Sequence, residues 1–182
     1  ANQIEKLGQE ITWENIGDPI NKGETIPDWI KGHVADALKE DATYAYSPTK
    51  GLLATREYIA RERNLENGIQ ITADDILFFN GLGDAISKIY RSLHPEARVI
   101  GPNPAYPTHS SAEAAHARGK HLTYPLDPHS NWQQDLAKME EVIIEYPEIS
   151  GILLVNPDNP TGIVYSDENM KGIVALAKKY NL

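Results

Sequence analysis

From residue 76 onward the sequence alternates between short apolar runs and longer segments with helical spacing of apolar residues. Runs with the length and composition of strands occupy 76–79, 98–100, 121–124 and 149–155. Helical segments fill the intervals at 85–93, 108–118 and 131–146, and another begins after Ser166. A run that is apolar on both faces, such as 149–155, is typical of a strand buried between helices. The pattern predicts an α/β fold, a three-layer sandwich around a mainly parallel sheet.

The residues before this alternation have a different character. Residues 1–27 contain many turn formers and little periodicity, so we expect an irregular lead-in. Apolar residues at four-residue intervals predict a helix over 28–38, with Asp28 as its N-cap and one apolar face. A second helix is expected over 52–63.

The loop at 44–51 is the predicted domain boundary. We expect residues 1–45 to form an N-terminal arm and part of a smaller domain, and residues 46–182 to form part of a large domain. The last segment is a helix that should lead into another strand of the parallel sheet. The large domain is therefore expected to need a C-terminal remainder that this sequence does not contain.

Composition narrows the possible functions. A formal net charge of -9 and a pI of about 5.1 disfavour nucleic acid and anionic lipid as partners. The chain has no cysteine, which excludes disulfides and thiolate chemistry and permits a reducing compartment, so we expect the cytoplasm. No apolar stretch approaches the roughly 20 residues that span a bilayer, so we expect no membrane partner. A small molecule fits best.

Three histidines, His109, His116 and His121, lie close together in the sequence. Their spacing matches no common zinc pattern, and there is no cysteine to complete one. We expect no metal site and interpret these histidines as surface residues.

The segment Asn156-Pro-Asp-Asn-Pro-Thr-Gly162 follows the buried strand and precedes the last helix. Ligands of open α/β sheets bind at the carboxyl ends of strands, although these residues are also the commonest turn formers. The full heptad resembles the signature of the class I/II aminotransferases, which are fold-type-I enzymes that depend on pyridoxal 5'-phosphate (PLP). The resemblance implies that Asn159 donates to the phenolic oxygen of PLP and favours its anionic form. It also implies that the bond before Pro160 can be cis.

A second motif, Phe79-Asn-Gly81-Leu-Gly83, precedes a predicted helix. Backbone N–H groups and the helix dipole make such a turn an anion site, but a ligand-free turn fits equally well. A dinucleotide fingerprint needs a third glycine where this chain has Ile86. The family resemblance implies that the amides of Gly81, Leu82 and Gly83 hold the PLP phosphate.

Three further residues take roles from the resemblance alone. Tyr106, in the segment Gly101-Pro-Asn-Pro-Ala-Tyr106-Pro107, would stack on the pyridine ring. The alternative is that its ring only packs against the protein, as most loop aromatics do. Tyr46 would reach the PLP phosphate of a neighbouring subunit, which implies a homodimer with a shared active site; a half-buried loop tyrosine is the alternative. Gly17 would line the substrate pocket.

None of the lysines is placed to form the Schiff base with PLP that such enzymes need. Lys88 follows a serine, as the family lysine does, but it lies inside a predicted helix and is expected to be solvated. The family's lysine, its aspartate facing the pyridine nitrogen and its arginine that binds the substrate carboxylate are all expected beyond Leu182. We therefore assign no catalytic residue to this chain.

The predicted function is a PLP-dependent aminotransferase that moves an amino group between an amino acid and a 2-oxo acid. A PLP-dependent lyase or decarboxylase of the same fold differs in the bond broken at Cα, and no residue here decides between them. A non-catalytic protein that binds PLP or an effector on this scaffold also stays open. A nicotinamide-dependent oxidoreductase is a more distant alternative.

Overall fold

The protein is described here by a computed structural model that covers residues 2–12 and 17–182. The chain separates into two compact units, Ala1–Leu77 and Phe78–Leu182. The predicted division at residue 45, between an arm and a large domain, stays a prediction. The predicted irregular lead-in includes residues 1 and 13–16, which lie outside the described residues.

The first unit is built from helices and turns. Its helices are Asn2–Glu5 (α1), Asp28–Ala37 (α2) and Leu53–Asn64 (α3), with 3₁₀ turns at Asp41–Tyr44 and Ala73–Asp75. The two helices predicted over 28–38 and 52–63 are confirmed to within one residue at each end. The predicted cap is wrong, because Pro27 occupies the N-cap position and Asp28 is the first helical residue. There the acid faces the positive end of the helix dipole instead.

A buried arginine organises the region around α3. Arg56 is 7 % exposed, and its guanidinium donates to the carbonyl oxygens of Gly51 at 3.2 Å and Ala73 at 2.5 Å. It therefore ties the start of α3 to the 3₁₀ turn at Ala73–Asp75. The apolar face predicted for α2 exists, but its members Val34 and Leu38 are more than half exposed.

The second unit alternates helices and strands. Its helices are Leu82–Ser92 (α4), Pro107–Ala117 (α5), Leu136–Glu145 (α6) and Asp167–Tyr180 (α7). Its strands are Arg98–Asn103 (β1), Thr123–Asp127 (β2), Gln133–Gln134 (β3) and Ile149–Ile152 (β4). The order in the sheet is β3-β2-β1-β4, and β1 pairs in parallel with both β2 and β4, whereas β3 is antiparallel to β2. The predicted α/β fold with a mainly parallel sheet is confirmed.

The direction of the chain through the sheet assigns the helices to its faces. The connection from β1 through α5 to β2 runs one way across the sheet, and the connection from β2 through α6 to β4 runs the other way. Because parallel crossovers are right-handed, α5 and α6 lie on opposite faces. α4 packs against α5, and α7 packs against α6, which gives helices on both sides of the sheet.

Two predicted elements are wrong in detail. Residues 76–79 form no strand: Leu77 and Phe78 are about half exposed, and no other described segment pairs with them. A strand exists only with a neighbour that takes its backbone hydrogen bonds, so apolar composition is not enough. The helix predicted over 131–146 begins only at Leu136, because the Asp135 side chain caps it by accepting from the Lys138 N–H at 3.1 Å.

The other predicted elements occur with shifted ends. β2 begins two residues later than predicted and continues to Asp127, and β4 ends at Ile152 rather than at residue 155. The predicted cap of α7 is confirmed, because the Ser166 hydroxyl oxygen accepts from the Asn169 N–H at 3.2 Å.

The core of the second unit lies between the sheet and the α6–α7 layer. Its buried members are Ile100, Tyr124, Leu126, Met139, Ile143, Ile149, Tyr165 and Ile173. Burial of an apolar side chain of this size contributes about 1.5–3 kcal/mol. The hydroxyl of the buried Tyr124 donates to the Leu153 carbonyl at 2.8 Å, so its polar atom is also satisfied. This core fixes the strand ends from which the site loops leave.

Candidate functional site

By topology, the carboxyl ends of β1 and β4 are where a ligand-binding crevice is expected in the second unit. The two strands are parallel neighbours, so both end at the same edge of the sheet. The chain leaves β1 toward α5 and leaves β4 toward α7, which lie on opposite faces. In open α/β sheets a ligand binds where neighbouring connections part in this way. The β1–α5 loop contains Tyr106, and the β4–α7 loop contains Asn159.

Asn159 lies on the exposed side of its loop. The peptide bond between Asn159 and Pro160 is cis, as expected, and the bond between Asn156 and Pro157 is cis as well. The Asn159 side chain makes no hydrogen bond to another described residue. Its amide is therefore available to a ligand at the carboxyl edge.

The interior of this loop is held by Asp158. Its carboxylate accepts from the Thr161 N–H at 3.1 Å, from the Thr161 hydroxyl at 2.6 Å and from the Tyr165 hydroxyl at 3.0 Å. Its backbone N–H donates to the Ile163 carbonyl, and its carbonyl accepts from the Gly162 N–H, both at 2.8 Å. The heptad thus has one buried polar residue at its centre.

Tyr106 immediately precedes α5, and 42 % of the residue is exposed. Its ring meets the ring of His109 edge-on, with centroids 6.1 Å apart. Aromatic pairs favour this arrangement, and it limits the tilt of the tyrosine ring. A partly exposed aromatic side chain therefore follows the end of β1.

The prediction that His109 is a surface residue is wrong. It is 8 % exposed because the inner side of α5 packs toward β1 and α4. Burial lowers the pKa of its imidazole, and Nδ1 is buried without a hydrogen-bond partner among the described residues. The cavity beside it also touches Tyr90, Glu113 and His121, and is lined mostly by apolar atoms.

The turn before α4 has the geometry of an anion site. Gly81 is the N-cap with φ of 85°, a conformation that favours glycine. Its own N–H donates to the Phe79 carbonyl at 2.9 Å, whereas the N–H groups of Leu82 and Gly83 have no partner in the described part of the chain. No heavy atom lies within 4 Å of where a Cβ would stand on Gly81 or Gly83. The Cβ side of both glycines is therefore open.

The start of α4 faces the same edge as the two loops. A short connection at 93–97 joins the end of α4 to the start of β1, so the helix runs antiparallel to that strand. Its N-terminus therefore points toward the strand's carboxyl end. The three predicted elements Gly81–Gly83, Tyr106 and Asn159 all belong to one end of the second unit.

Lys88 lies on the surface of α4, as expected. Its Nζ contacts both carboxylate oxygens of Asp84, at 2.7 and 2.8 Å. Asp84 also accepts from the Asn80 N–H. The interaction with Lys88 and, to a smaller extent, that with Asn80 lower the pKa of the Asp84 carboxyl. Lys88 thus neutralises an acid in the first turn of the helix.

Tyr46 and Gly17 lie in the first unit. Tyr46 is fully exposed in the loop after Asp41–Tyr44. Gly17 is exposed, and Asn15 of its motif lies outside the described residues. Their roles toward a cofactor and a substrate stay predictions.

Two other findings concern the described residues as a set. No group of three or more His, Asp or Glu side chains among them could hold a metal ion. Within residues 2–12 and 17–182, no helix has the length and apolar character needed to cross a membrane.

The sequence does not mark the residues that lie behind the candidate site. Asp158 is the variable position of the heptad and has the composition of a turn, while Tyr165 was not singled out. Gln133 and Gln134 were assigned to a helix. A hydrophobic pattern does not show that a polar residue is buried. The one signal in the sequence for a later start of the helix is Asp135, which is a residue type that favours the N-cap position.

Comparison with known proteins identifies the family. The family model described as aminotransferase class I and II matches residues 13–182. The chain belongs to this family. Among relatives of this aminotransferase-family chain, an uncharacterized aminotransferase of Methanocaldococcus jannaschii is 57 % identical over 182 residues, which are 42 % of that protein. The glutamate-pyruvate aminotransferase AlaA of Escherichia coli is 32 % identical, with the whole chain covering 44 % of it.

Solved aminotransferase structures agree with this fold. An Escherichia coli aminotransferase superposes with a TM-score of 0.86 at 31 % identity, over all of this chain and 44 % of that one. The alanine aminotransferase from Pyrococcus furiosus gives 0.84 at 27 % identity, over all of this chain and 45 % of that one. The aminotransferase-family chain therefore spans less than half the length of the relatives it matches.

Proposed function

We propose that this chain forms the part of a PLP-dependent aminotransferase that holds the phosphate and one edge of the cofactor ring. The observation that carries the proposal is that the β1–α5 and β4–α7 connections part to opposite faces, and that each places an exposed side chain, Tyr106 or Asn159, after the end of its strand. Family membership supports the same conclusion.

The residues present fit PLP. The dianionic phosphate suits the two unpartnered N–H groups at Leu82 and Gly83, because a helix N-terminus carries about half a positive charge. A Cβ on either glycine would meet no atom within 4 Å, so no neighbouring side chain crowds the backbone there. Gly81 contributes through its conformation, since its own N–H already has an acceptor.

When bound, PLP supplies an electron sink for the bonds at the amino acid Cα. The residues of this chain bind and orient it. Tyr106 covers one face of the ring, restrains its tilt and excludes water from that face. Asn159 donates its amide N–H to the phenolic oxygen, which favours the anionic form of that oxygen.

Relatives suggest which substrates to test first. Proteins at 32 % identity are named glutamate-pyruvate aminotransferase and alanine aminotransferase. We propose alanine as amino donor and 2-oxoglutarate as acceptor. A homodimer in which Tyr46 reaches the neighbouring subunit's cofactor, and a cytoplasmic location, remain part of the proposal.

The test uses the full-length gene product, purified with PLP and assayed for pyruvate formation from alanine and 2-oxoglutarate. Asn159→Ala should lower kcat/KM by about 100-fold, the upper end for a residue that tunes a cofactor from its surroundings. Lys31→Ala, at an exposed position on α2, is the control and should have wild-type activity. Wild-type protein that binds PLP but forms no keto acid from any amino acid would favour a lyase, a decarboxylase or a non-catalytic binder.

A further inference from the structure

The carboxylate of Asp158 is buried without a cation. The residue is 4 % exposed, directly precedes Asn159, and forms no ion pair with any described residue. Its three hydrogen bonds come from Thr161 and Tyr165 alone. A desolvated carboxylate costs free energy that such bonds must offset. Proline and glycine already make a turn here, so the loop's shape alone does not require this cost.

A chain of buried polar groups continues from Asp158 into the body of the unit. The Tyr165 hydroxyl donates to Asp158, and burial, together with the negative charge of Asp158, raises the pKa of that hydroxyl. It therefore remains a donor at neutral pH. The nearby Gln134 side chain lowers that pKa in part, but no hydrogen bond joins the two residues, and Gln134 Nε2 is buried without a partner among the described residues. Gln134 is 4 % exposed, and its Oε1 accepts from the Asn169 amide at 3.0 Å.

The neighbouring β3 residue holds the other end of the loop. Gln133 Oε1 accepts from the Ser166 N–H at 2.9 Å, and its Nε2 donates to the Val164 carbonyl at 3.3 Å. The Tyr165 N–H donates to the Asn156 side chain at 3.1 Å. The segment that follows the heptad is therefore bound to β3 by the Gln133 side chain.

These bonds leave Asn159 as the exposed residue on a fixed backbone. The Asp158 N–H donates to the Ile163 carbonyl, and the Asp158 carbonyl accepts from the Gly162 N–H. The peptide unit before Asn159 is thus fixed through the Asp158 carbonyl, and the Asp158 carboxylate holds the Thr161 N–H two residues after Asn159. A binding group performs best when the residues behind it lock its orientation.

We propose that Asp158 and Tyr165 are positioning residues that aim the Asn159 amide at the ring oxygen of the cofactor. The proposal rests on the proposed function, since it needs PLP in the crevice. Neither residue touches PLP; each acts through Asn159. Their loss should therefore change what Asn159 does to the cofactor.

A double-mutant cycle tests this directly in the full-length, PLP-loaded protein. The variants are Tyr165→Phe, Asn159→Ala and the two combined. The readouts are the PLP dissociation constant and the pH midpoint of the cofactor's visible absorbance change. Tyr165→Phe should weaken PLP binding by about tenfold and shift the midpoint in the same direction as Asn159→Ala. In the Asn159→Ala background, Tyr165→Phe should produce no further shift.

Tyr180→Phe is the matched control. Its hydroxyl also donates to a carboxylate, that of Glu140 at 2.8 Å, but on the α6–α7 layer away from the loop. It should leave the pH midpoint unchanged. Thr161 gives a second pair in case a variant does not fold: Thr161→Val removes one bond to Asp158 and should resemble Tyr165→Phe, whereas Thr161→Ser keeps that bond and should resemble wild type.

The positioning role would be overturned if Tyr165→Phe shifted the pH midpoint equally with and without the Asn159 side chain. It would also be overturned if Tyr165→Phe had the pH midpoint of wild type. Those outcomes leave the proposed function intact, because wild-type protein would still bind PLP. If wild-type protein binds no PLP, both the proposed function and this inference fail.

Discussion

Nε of Arg98 lies 2.6 Å from Oε1 of Glu113, and this ion pair joins the start of β1 to the middle of α5. The Glu113 side chain is 3 % exposed, and the guanidinium also donates to the Lys120 carbonyl at 2.8 Å. The hydrogen bond to Glu113 is the largest influence that raises the pKa of Arg98. The helix that follows Tyr106 is therefore anchored by a buried charge pair.

Removing one partner of this pair should destabilise the second unit. Glu113→Gln leaves the Arg98 charge without its counter-ion and should lower the free energy of unfolding by about 3 kcal/mol. Replacing both, as Arg98→Met with Glu113→Leu, should recover most of that loss. Urea denaturation at neutral pH measures each variant.

The control for this prediction is an exposed pair. Lys31 contacts Asp28 at 3.0 Å on the surface of α2. Lys31→Ala should cost less than about 1 kcal/mol. A loss in Glu113→Gln as small as that in Lys31→Ala would contradict a structural role for the buried pair.

The buried imidazole of His109 should make stability depend on pH. Burial lowers its pKa below the ordinary value of 6.5, so the unfolded chain binds the proton more tightly than the folded one. The resulting stability is complete above pH 6.5 and is lost as the pH falls through the lowered folded-state pKa. We expect the free energy of unfolding to fall below that pH in wild type, and to fall less in His109→Phe, which keeps a ring against Tyr106.

Comparison of the two unfolding curves from pH 7 down to about pH 5 isolates the contribution of His109, since all other groups are shared. The exposed His33 on α2 supplies the control, as His33→Gln. Parallel pH curves for wild type and His109→Phe would show that the imidazole is not held in its neutral form.

Alanine substitutions at Gly81 and Gly83 test the effect of backbone strain separately from that of steric crowding. Gly81 has φ of 85° and Gly83 does not have positive φ, yet a Cβ on either would meet no atom within 4 Å. Gly81→Ala should therefore cost about 1 kcal/mol through strain alone. Gly83→Ala should be neutral or slightly stabilising, because alanine favours the helix. Thermal unfolding of the two variants tests this, and equal effects would be inconsistent with a strained cap.

Much of the fold could be predicted because its signals are local. Ser166 caps α7 with a hydroxyl that sequence alone identifies, and the buried strands show as apolar runs. The failures are not local. Residues 76–79 have the composition of a strand but no described neighbour to pair with, and β3 consists of two glutamines that carry no apolar signal.

The residues of the candidate site differ in the same way, since some carry a local signal in the sequence and others do not. Motifs and a family resemblance mark Asn159, Tyr106 and Gly81 in the sequence, and their roles toward a cofactor stay predictions. Asp158 and Tyr165 carry no such mark, because their burial and their hydrogen bond depend on the folded chain. The sequence predicts the groups that would meet a ligand better than the groups behind them.

A half-reaction with a single amino acid tests whether this chain forms part of an aminotransferase. Full-length protein in its PLP form is mixed with excess alanine in the absence of a 2-oxo acid, and the released cofactor is then identified by chromatography. We expect conversion to pyridoxamine phosphate with one pyruvate formed per site, and return to PLP on addition of 2-oxoglutarate. Bound PLP that stays unconverted with every amino acid offered would contradict it.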